Sequence, residues 1–518
     1  LKIKIHQFIY SNLVVLILIS VSLSTTHTLA QSSEVLPSSV KKSLKAANLP
    51  ESAISFSIIR VSKRNSTGPN KFDWQAQLAM NPASTMKLVT TLAAVDLLGP
   101  QYRWKTNVYT NGTIQQGVLH GDLIWQGSGD PKLVPEEVSK MMASLRQLGI
   151  NEIDGDLILD RSAYSPETKN SAPGDGETQK SYNVAPDPLL YAFQTLSFTI
   201  NNNHGEPEVS YTPRLMNLKV NNQLQNTSGG CGDWTKLAKA SVVKSGNEEW
   251  TASFTGKLPK QCQDLRWNIV AVSPDDFLKQ GLMAAWEDAG GEWKNNPTVK
   301  TGTPPTFAKL LISHQGTVLG DAIKDINKYS NNVMARQIFL TISLEKNGKP
   351  ASVQESIKVT HEWLKKNQLN MPELVIENGS GLSNIERISA QNMTQLLSYS
   401  LKSKYHDVFL NSLPIAGTDG TMRNRLIDRL KSIFMSHANA ANGEDFKPDT
   451  SMPTALQKPG ALIKTGSLSS VRSIAGFVVS KSGEVYAISS MINHPQASQG
   501  GIATQDALLS WVLDGGMD

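Results

Sequence analysis

Three short groups of residues in this chain are of types that can perform nucleophilic chemistry together: Ser84-Thr85-Met86-Lys87, Ser330-Asn331-Asn332 and Lys464-Thr465-Gly466. A serine hydroxyl is a poor nucleophile at its free pKa and needs a base within hydrogen-bond reach. In a helix, a lysine three residues on lies about one turn away on the same face, so Lys87 would be placed to take the Ser84 proton. For this Lys87 must be neutral part of the time, a state favoured by desolvation and by the charge of a second lysine such as Lys464. The predicted chemistry is nucleophilic attack by Ser84 with Lys87 as its base.

None of these groups is specific by itself. Ser-x-x-Lys recurs at Ser38 to Lys41, Ser241 to Lys244 and Ser343 to Lys346, and a second Lys-Thr-Gly stands at Lys300-Thr301-Gly302. Context separates them. Ser84 heads a run containing Met86, Leu88, Val89, Leu92, Ala93, Val95 and Leu97, apolar on nearly every face until Gly99-Pro100 stops it. That pattern predicts a buried helix over 84–98 with the serine at its N-terminal end. Lys464-Thr465-Gly466 opens a strand signal and is followed by an apolar hairpin, Ile474 to Val479 and Val485 to Met491, turning at Ser482-Gly483. Lys300-Thr301-Gly302 runs into Pro304-Pro305, which cannot pair in a central strand, and is predicted to be a loop.

The remaining elements frame these motifs. Residues 53–61 alternate in period 2, as in a half-buried strand. Helical periodicity spans Ile323 to Leu344, Val353 to Lys366 and Ala390 to Leu401, and Ala503 to Leu513 reads as a terminal helix. Between 101 and 310, short β-like pieces such as residues 121–125 and 155–159 are separated by Gly, Pro and Asn turns. With 518 residues the chain exceeds one ordinary core, at about 150 residues per domain. The expectation is an α+β catalytic domain (31–100 plus 311–518) split by β-rich inserted material at 101–310.

Composition excludes several functions. A charge of +5, dispersed rather than gathered into Lys/Arg runs, argues against nucleic-acid binding and remains compatible with weak attraction to an acidic wall polymer. Lys2 and Lys4, the apolar run Leu13 to Ile19 and the small residues before Gln31 predict a signal peptide over 1–30. The run falls short of the ~20 apolar residues a membrane span needs, so no stable span is expected after cleavage. An exported chain meets an oxidising compartment, and Cys231 and Cys262 are therefore expected to form one disulfide. Two thiols without a His cluster cannot fill a zinc site, His361-Glu362 lacks the second histidine of a zinc-protease helix, and no cofactor is expected. Gly127-Ser128-Gly129-Asp130-Pro131 lacks a following Gly-Lys-Ser/Thr and reads as a β-turn, not a phosphate cradle.

The ordered set Ser-x-x-Lys, Ser-x-Asn, Lys-Thr-Gly resembles that of penicillin-binding proteins and β-lactamases. More narrowly, the chain resembles the exported D-Ala-D-Ala carboxypeptidase/endopeptidases, the class C low-molecular-mass penicillin-binding proteins of serine peptidase family S13. Matching segments are residues 127–131, Asn378-Gly379-Ser380-Gly381-Leu382-Ser383 and the stretch from Leu413 to Thr421. The separation of 246 positions from Ser84 to Ser330 discriminates best, because that family carries two extra domains there and single-domain β-lactamases do not. The resemblance implies a penicillin-binding/β-lactamase-like domain, an antiparallel sheet with helices, split by that insertion. It implies that Ser330 relays a proton to the departing D-alanine, that Asn332 orients the peptide amide and Lys87, and that Lys464 and Thr465 hold the substrate carboxylate. Gly466 would let that strand come close, with the Ser84 and Ser467 N–H groups as the oxyanion hole. Peptidoglycan peptides are the implied substrate and β-lactams the implied covalent inhibitors, in the periplasm or a wall-facing space.

Two other readings compete: a β-lactamase-like hydrolase, and a non-catalytic penicillin-sensing or wall-binding protein. The intact Ser84, Lys87, Ser330, Asn332 and Lys464 argue against the latter. Members favouring diaminopimelate stems commonly have Asp, Arg and Gln where this chain has Asn378, Asn384 and Ser469. An Asn offers neither the charge nor the two-pronged fork of an Arg, so weak discrimination at the preceding stem residue is expected.

Overall fold

The computed structural model describes residues 35–62, 68–170, 176–202, 205–439 and 448–518; the signal peptide expected over 1–30 lies outside them. The alternating N-terminal segment forms the strand Ile54–Arg60, and the C-terminal signals form Gly460–Leu468, Val471–Val479 and Val485–Asn493. With Lys71–Trp74 they make one antiparallel sheet, ordered Lys71–Trp74, Ile54–Arg60, Val485–Asn493, Val471–Val479, Gly460–Leu468. Successive residues feed opposite cores, as the strand period requires. Ile474 and Val478 face the helices Ser38–Ala46 and Ala497–Leu513, while Ala475, Phe477 and Val479 face a larger core containing Lys87–Leu98. The architecture is α+β, with helices on both faces of an antiparallel sheet.

Three departures from the sequence reading have simple causes. The serine does not sit in α-helix: Ala83–Met86 is a tight 3₁₀ turn, and the α-helix runs Lys87–Leu98. The turn is entered through Ala83 at φ +45°, a left-handed conformation that hydrophobic periodicity cannot report. The predicted continuous helix over Ile323 to Leu344 is two helices, Leu319–Tyr329 and Asn332–Asn347, parted by Ser330 at φ +58°. Asn331 caps the second by accepting from Met334 N at 3.0 Å, which is how a polar pair inside an apolar pattern restarts a helix. Thirdly, Lys300-Thr301 is not loop: Val299–Thr301 is a short edge strand parallel to Leu157–Leu159, with Pro304-Pro305 lying beyond its end.

Between Arg103 and Val318 the chain builds several smaller sheets around a second apolar core that includes Trp125, Phe198, Phe254 and Trp286. Two helices, Pro135–Gln147 and Pro274–Asp288, pack against this core. The strand Lys309–Val318 closes one of these sheets on Arg103–Thr110 and leads straight into the helix that ends at Ser330. Gly129, at φ +90°, packs so closely on the Tyr164 hydroxyl that a side chain there would clash; Gly127 ends the strand Leu123–Gly127 and residues 128–130 form a connection, where the sequence predicted a β-turn. Cys231 and Cys262 are joined by a disulfide at the margin of this core. Among the described residues, no helix is long and apolar enough to cross a membrane.

Candidate active site

The two ends of the sequence and its middle converge on Ser84. Lys87 is fully buried, and its Nζ donates to Ser84 Oγ at 2.9 Å, to Asn332 Oδ1 at 2.6 Å and to the Ser380 carbonyl. Lys464, also fully buried, donates to Ser330 Oγ at 2.9 Å and to its neighbour's carbonyl on Thr465 at 2.6 Å. Thr465 Oγ1 donates to Thr421 Oγ1 at 2.8 Å, so the segment from Leu413 to Thr421 reaches the same place. A β-carbon on Gly466 would lie 2.8 Å from Ser84 N and would collide with the Ser473 hydroxyl; only glycine lets this strand pass Ser84. Ser467 follows it, exposed.

Burial gives these lysines their chemistry. Lys87 is held well below its usual pKa, first by desolvation and then by the charge of Lys464, with Arg336 adding to the effect and Glu386 opposing it. Desolvation pulls Lys464 down to about 7. The arrangement places beside Ser84 an amine whose neutral form is favoured by burial, and holds a second lysine at the margin of losing its charge.

Several groups at this centre carried no signal in the sequence. Asn81, 5% exposed, ties the nucleophile turn to its surroundings: it accepts from Ala83 N at 2.8 Å, donates to the Ser383 carbonyl at 2.8 Å, and exchanges two bonds with Asn493. Ser380 contributes a backbone carbonyl, which residue identity does not announce, although the glycine-rich segment around it was singled out. Gly381 packs against Ala83 O, with a hypothetical β-carbon 2.8 Å from Ser84 Cα. Tyr182, far away in sequence, accepts from Asn332 Nδ2 through its carbonyl at 3.3 Å. Arg387 and Arg472, each three residues from a stem-reading position, Asn384 and Ser469, are both engaged. Arg472 donates to the Leu468 and Val471 carbonyls, and Arg387 to those of Asn384 and Glu386.

The fold is of the penicillin-binding/β-lactamase-like type, and it brings two buried lysines onto Ser84 and Ser330. Penicillin binding protein 4 of Haemophilus influenzae superposes with a TM-score of 0.69 at 23% identity, over 92% of this chain and 99% of that one. The sequence model of the D-Ala-D-Ala carboxypeptidase 3 (S13) family matches residues 38–433, and the chain belongs to that family. It is 26% identical over 427 residues to the D-alanyl-D-alanine carboxypeptidase DacB of H. influenzae, covering 81% of this chain and 82% of the relative. A D-alanyl-D-alanine carboxypeptidase of an Actinomadura species is 24% identical over 465 residues, covering 85% and 78%.

Proposed function

We propose that the chain is a serine D-Ala-D-Ala carboxypeptidase with endopeptidase activity on cross-linked stems, exported to the wall-facing compartment and acylated by β-lactams. Residues 31–100 plus 311–518 act as the catalytic domain, and 101–310 as the insertion. The observation that carries this reading is the Lys87 amine, buried and 2.9 Å from Ser84 Oγ. Neutral Lys87 takes the Ser84 proton as Oγ bonds to the carbonyl carbon of the penultimate D-alanine. The carbon–nitrogen bond then breaks as Ser330, bonded to Lys464, relays to the leaving amine the proton that Lys87 took, so that Ser330 keeps its hydroxyl and Lys87 is neutral again. Lys464 and Thr465 hold the terminal carboxylate, and the Ser84 and Ser467 N–H groups stabilise the oxyanion, at roughly 3 kcal/mol per donor. Water attacks the ester on Ser84, releasing the shortened peptide and restoring the enzyme. The relatives named as D-alanyl-D-alanine carboxypeptidases, and a fold shared with a protein named for penicillin binding, support the assignment. The Cys231–Cys262 bond supports export.

The test pairs fluorescent-penicillin labelling with D-alanine release from a muropeptide and cleavage of a cross-linked dimer. Wild type should label and release D-alanine, and Ser84→Ala should do neither while keeping its unfolding temperature. Labelling without release would favour the sensor reading; rapid steady-state hydrolysis of the penicillin would favour the β-lactamase reading.

A further inference from the structure

Glu386 is fully buried beside the active site, and no step of the mechanism above uses it. Its Oε1 accepts from two successive backbone N–H groups, Glu377 at 3.0 Å and Asn378 at 3.1 Å, while Oε2 finds no partner among the described residues. The segment it pins is the one that turns through Asn378 and Ser380 and offers the Ser380 carbonyl to Lys87. The far side of the same segment packs on Ala83 and Ser84. Burying a carboxylate is costly unless nearby charge compensates it, and the compensating charges here belong to the catalytic centre. Burial pushes the Glu386 pKa up, and the Asn378 and Glu377 N–H groups oppose that, as does Lys87 from the helix that follows Ser84; Arg336, 6% exposed, attracts it from the helix that begins at Asn332. The Glu377 carboxylate repels it from the same loop. Among the charged groups acting on Lys87, Lys464 and Arg336 are cations and Glu386 is the acid.

We propose that Glu386 is a positioning residue for the base: its carboxylate fixes the loop whose Ser380 carbonyl grips Lys87, and its charge offsets the cations crowded around that amine. This rests on the reading of Ser84 and Lys87 as nucleophile and base. It has two separable consequences. The hydrogen-bonding part needs an oxygen acceptor, which Gln retains and Ala does not. The electrostatic part needs the charge, which both substitutions remove. Without the charge, the ammonium form of Lys87 is less favoured, so Lys87 is neutral at lower pH.

The experiment measures the rate of Ser84 acylation by fluorescent penicillin in the full-length protein, from about pH 5 to pH 10. Glu386→Gln should move the rising limb to lower pH by about half a unit or more. Glu386→Ala should reduce the plateau rate at least about tenfold below that of Glu386→Gln, the size of effect that misplacing a catalytic group produces. A Gln limb coincident with wild type, or equal plateaus for Gln and Ala, would overturn the proposal. If the Ala variant does not fold, the limb of the near-isosteric Gln variant decides. A wild-type protein that fails to label would instead bring down the assignment of Ser84, before any variant is compared.

Discussion

The tripeptide Lys-Thr-Gly occurs in two regions of this molecule, both times on an edge strand, and the two copies behave as different chemical groups. Lys464 is fully buried, lies 2.9 Å from Ser330 Oγ and is pulled down to about 7 by desolvation. Lys300 reaches into solvent, pairs with Asp156 at 2.6 Å and is shifted upward by that partner. The glycines differ as well. A β-carbon at Gly466 would press on Ser84 N, whereas at Gly302 its near neighbour is a methyl of Ile158 at 3.3 Å. The comparison teaches that a motif becomes a site when burial removes the solvent that would otherwise set the lysine's charge.

The strongest way to break this contrast is to remove both lysines. Lys464→Ala should lower penicillin acylation and D-alanine release at least about 100-fold, as loss of a buried charge contact at a reacting centre does. Lys300→Ala should stay within about twofold of wild type. Comparable losses would mean that burial does not decide. Next in size, Gly466→Ala should cost about 10- to 100-fold in acylation rate through the collision beside Ser84, and Gly302→Ala within about twofold.

The pH dependence sharpens the contrast further. In the proposed mechanism acylation requires neutral Lys87 and carboxylate binding requires cationic Lys464, so kcat/KM for a peptide should rise with pH through the depressed Lys87 value and fall again above about 7. Bound carboxylate raises the Lys464 value, so the falling limb of kcat should lie at more alkaline pH than that of kcat/KM. Coincident limbs would show that Lys464 does not hold the carboxylate.

Cys231→Ser should leave acylation within about twofold of wild type while lowering stability by about 3.7 kcal/mol in the chain-entropy account, read from denaturant unfolding. The smallest effect concerns the stem residue before D-Ala-D-Ala. Asn384 and Ser469 are exposed and uncharged, and Arg387 and Arg472 are engaged with backbone carbonyls. Matched lysine and diaminopimelate peptides should therefore differ in kcat/KM by less than about tenfold. A ratio of about 100 or more would point to an unrecognised carboxylate reader. Arg336 would then be tested first, since its Nε is buried and finds no partner among the described residues.

What the sequence made legible follows from how each feature is encoded. The central strands and the helix behind Ser84 were readable because their side chains alternate or repeat with the period of the element. The convergence of Ser84, Lys87, Ser330, Asn332 and Lys464 was readable because serine and lysine side chains recur at fixed spacings. The break at Ser330, the turn at Ala83 and the Ser380 carbonyl were not, because each is a property of the backbone. Glu386 was hidden for another reason: an acid in a polar run looks like a solvated one until tertiary packing encloses it.

The strand Gly460–Leu468 ends the central sheet, but only half of its outer margin is taken. Pro414 and Ala416 exchange main-chain hydrogen bonds with Ile463 and Ala461, and from Lys464 onward no described segment pairs on that side. An extended peptide laid along Lys464 to Leu468 would lengthen the sheet by one more strand, held by amide and carbonyl groups that every residue carries. Recognition of this kind fixes the direction and register of a chain while remaining blind to most of its side chains. It would hold any stem in line for Ser84 and leave selection to the carboxylate at its end.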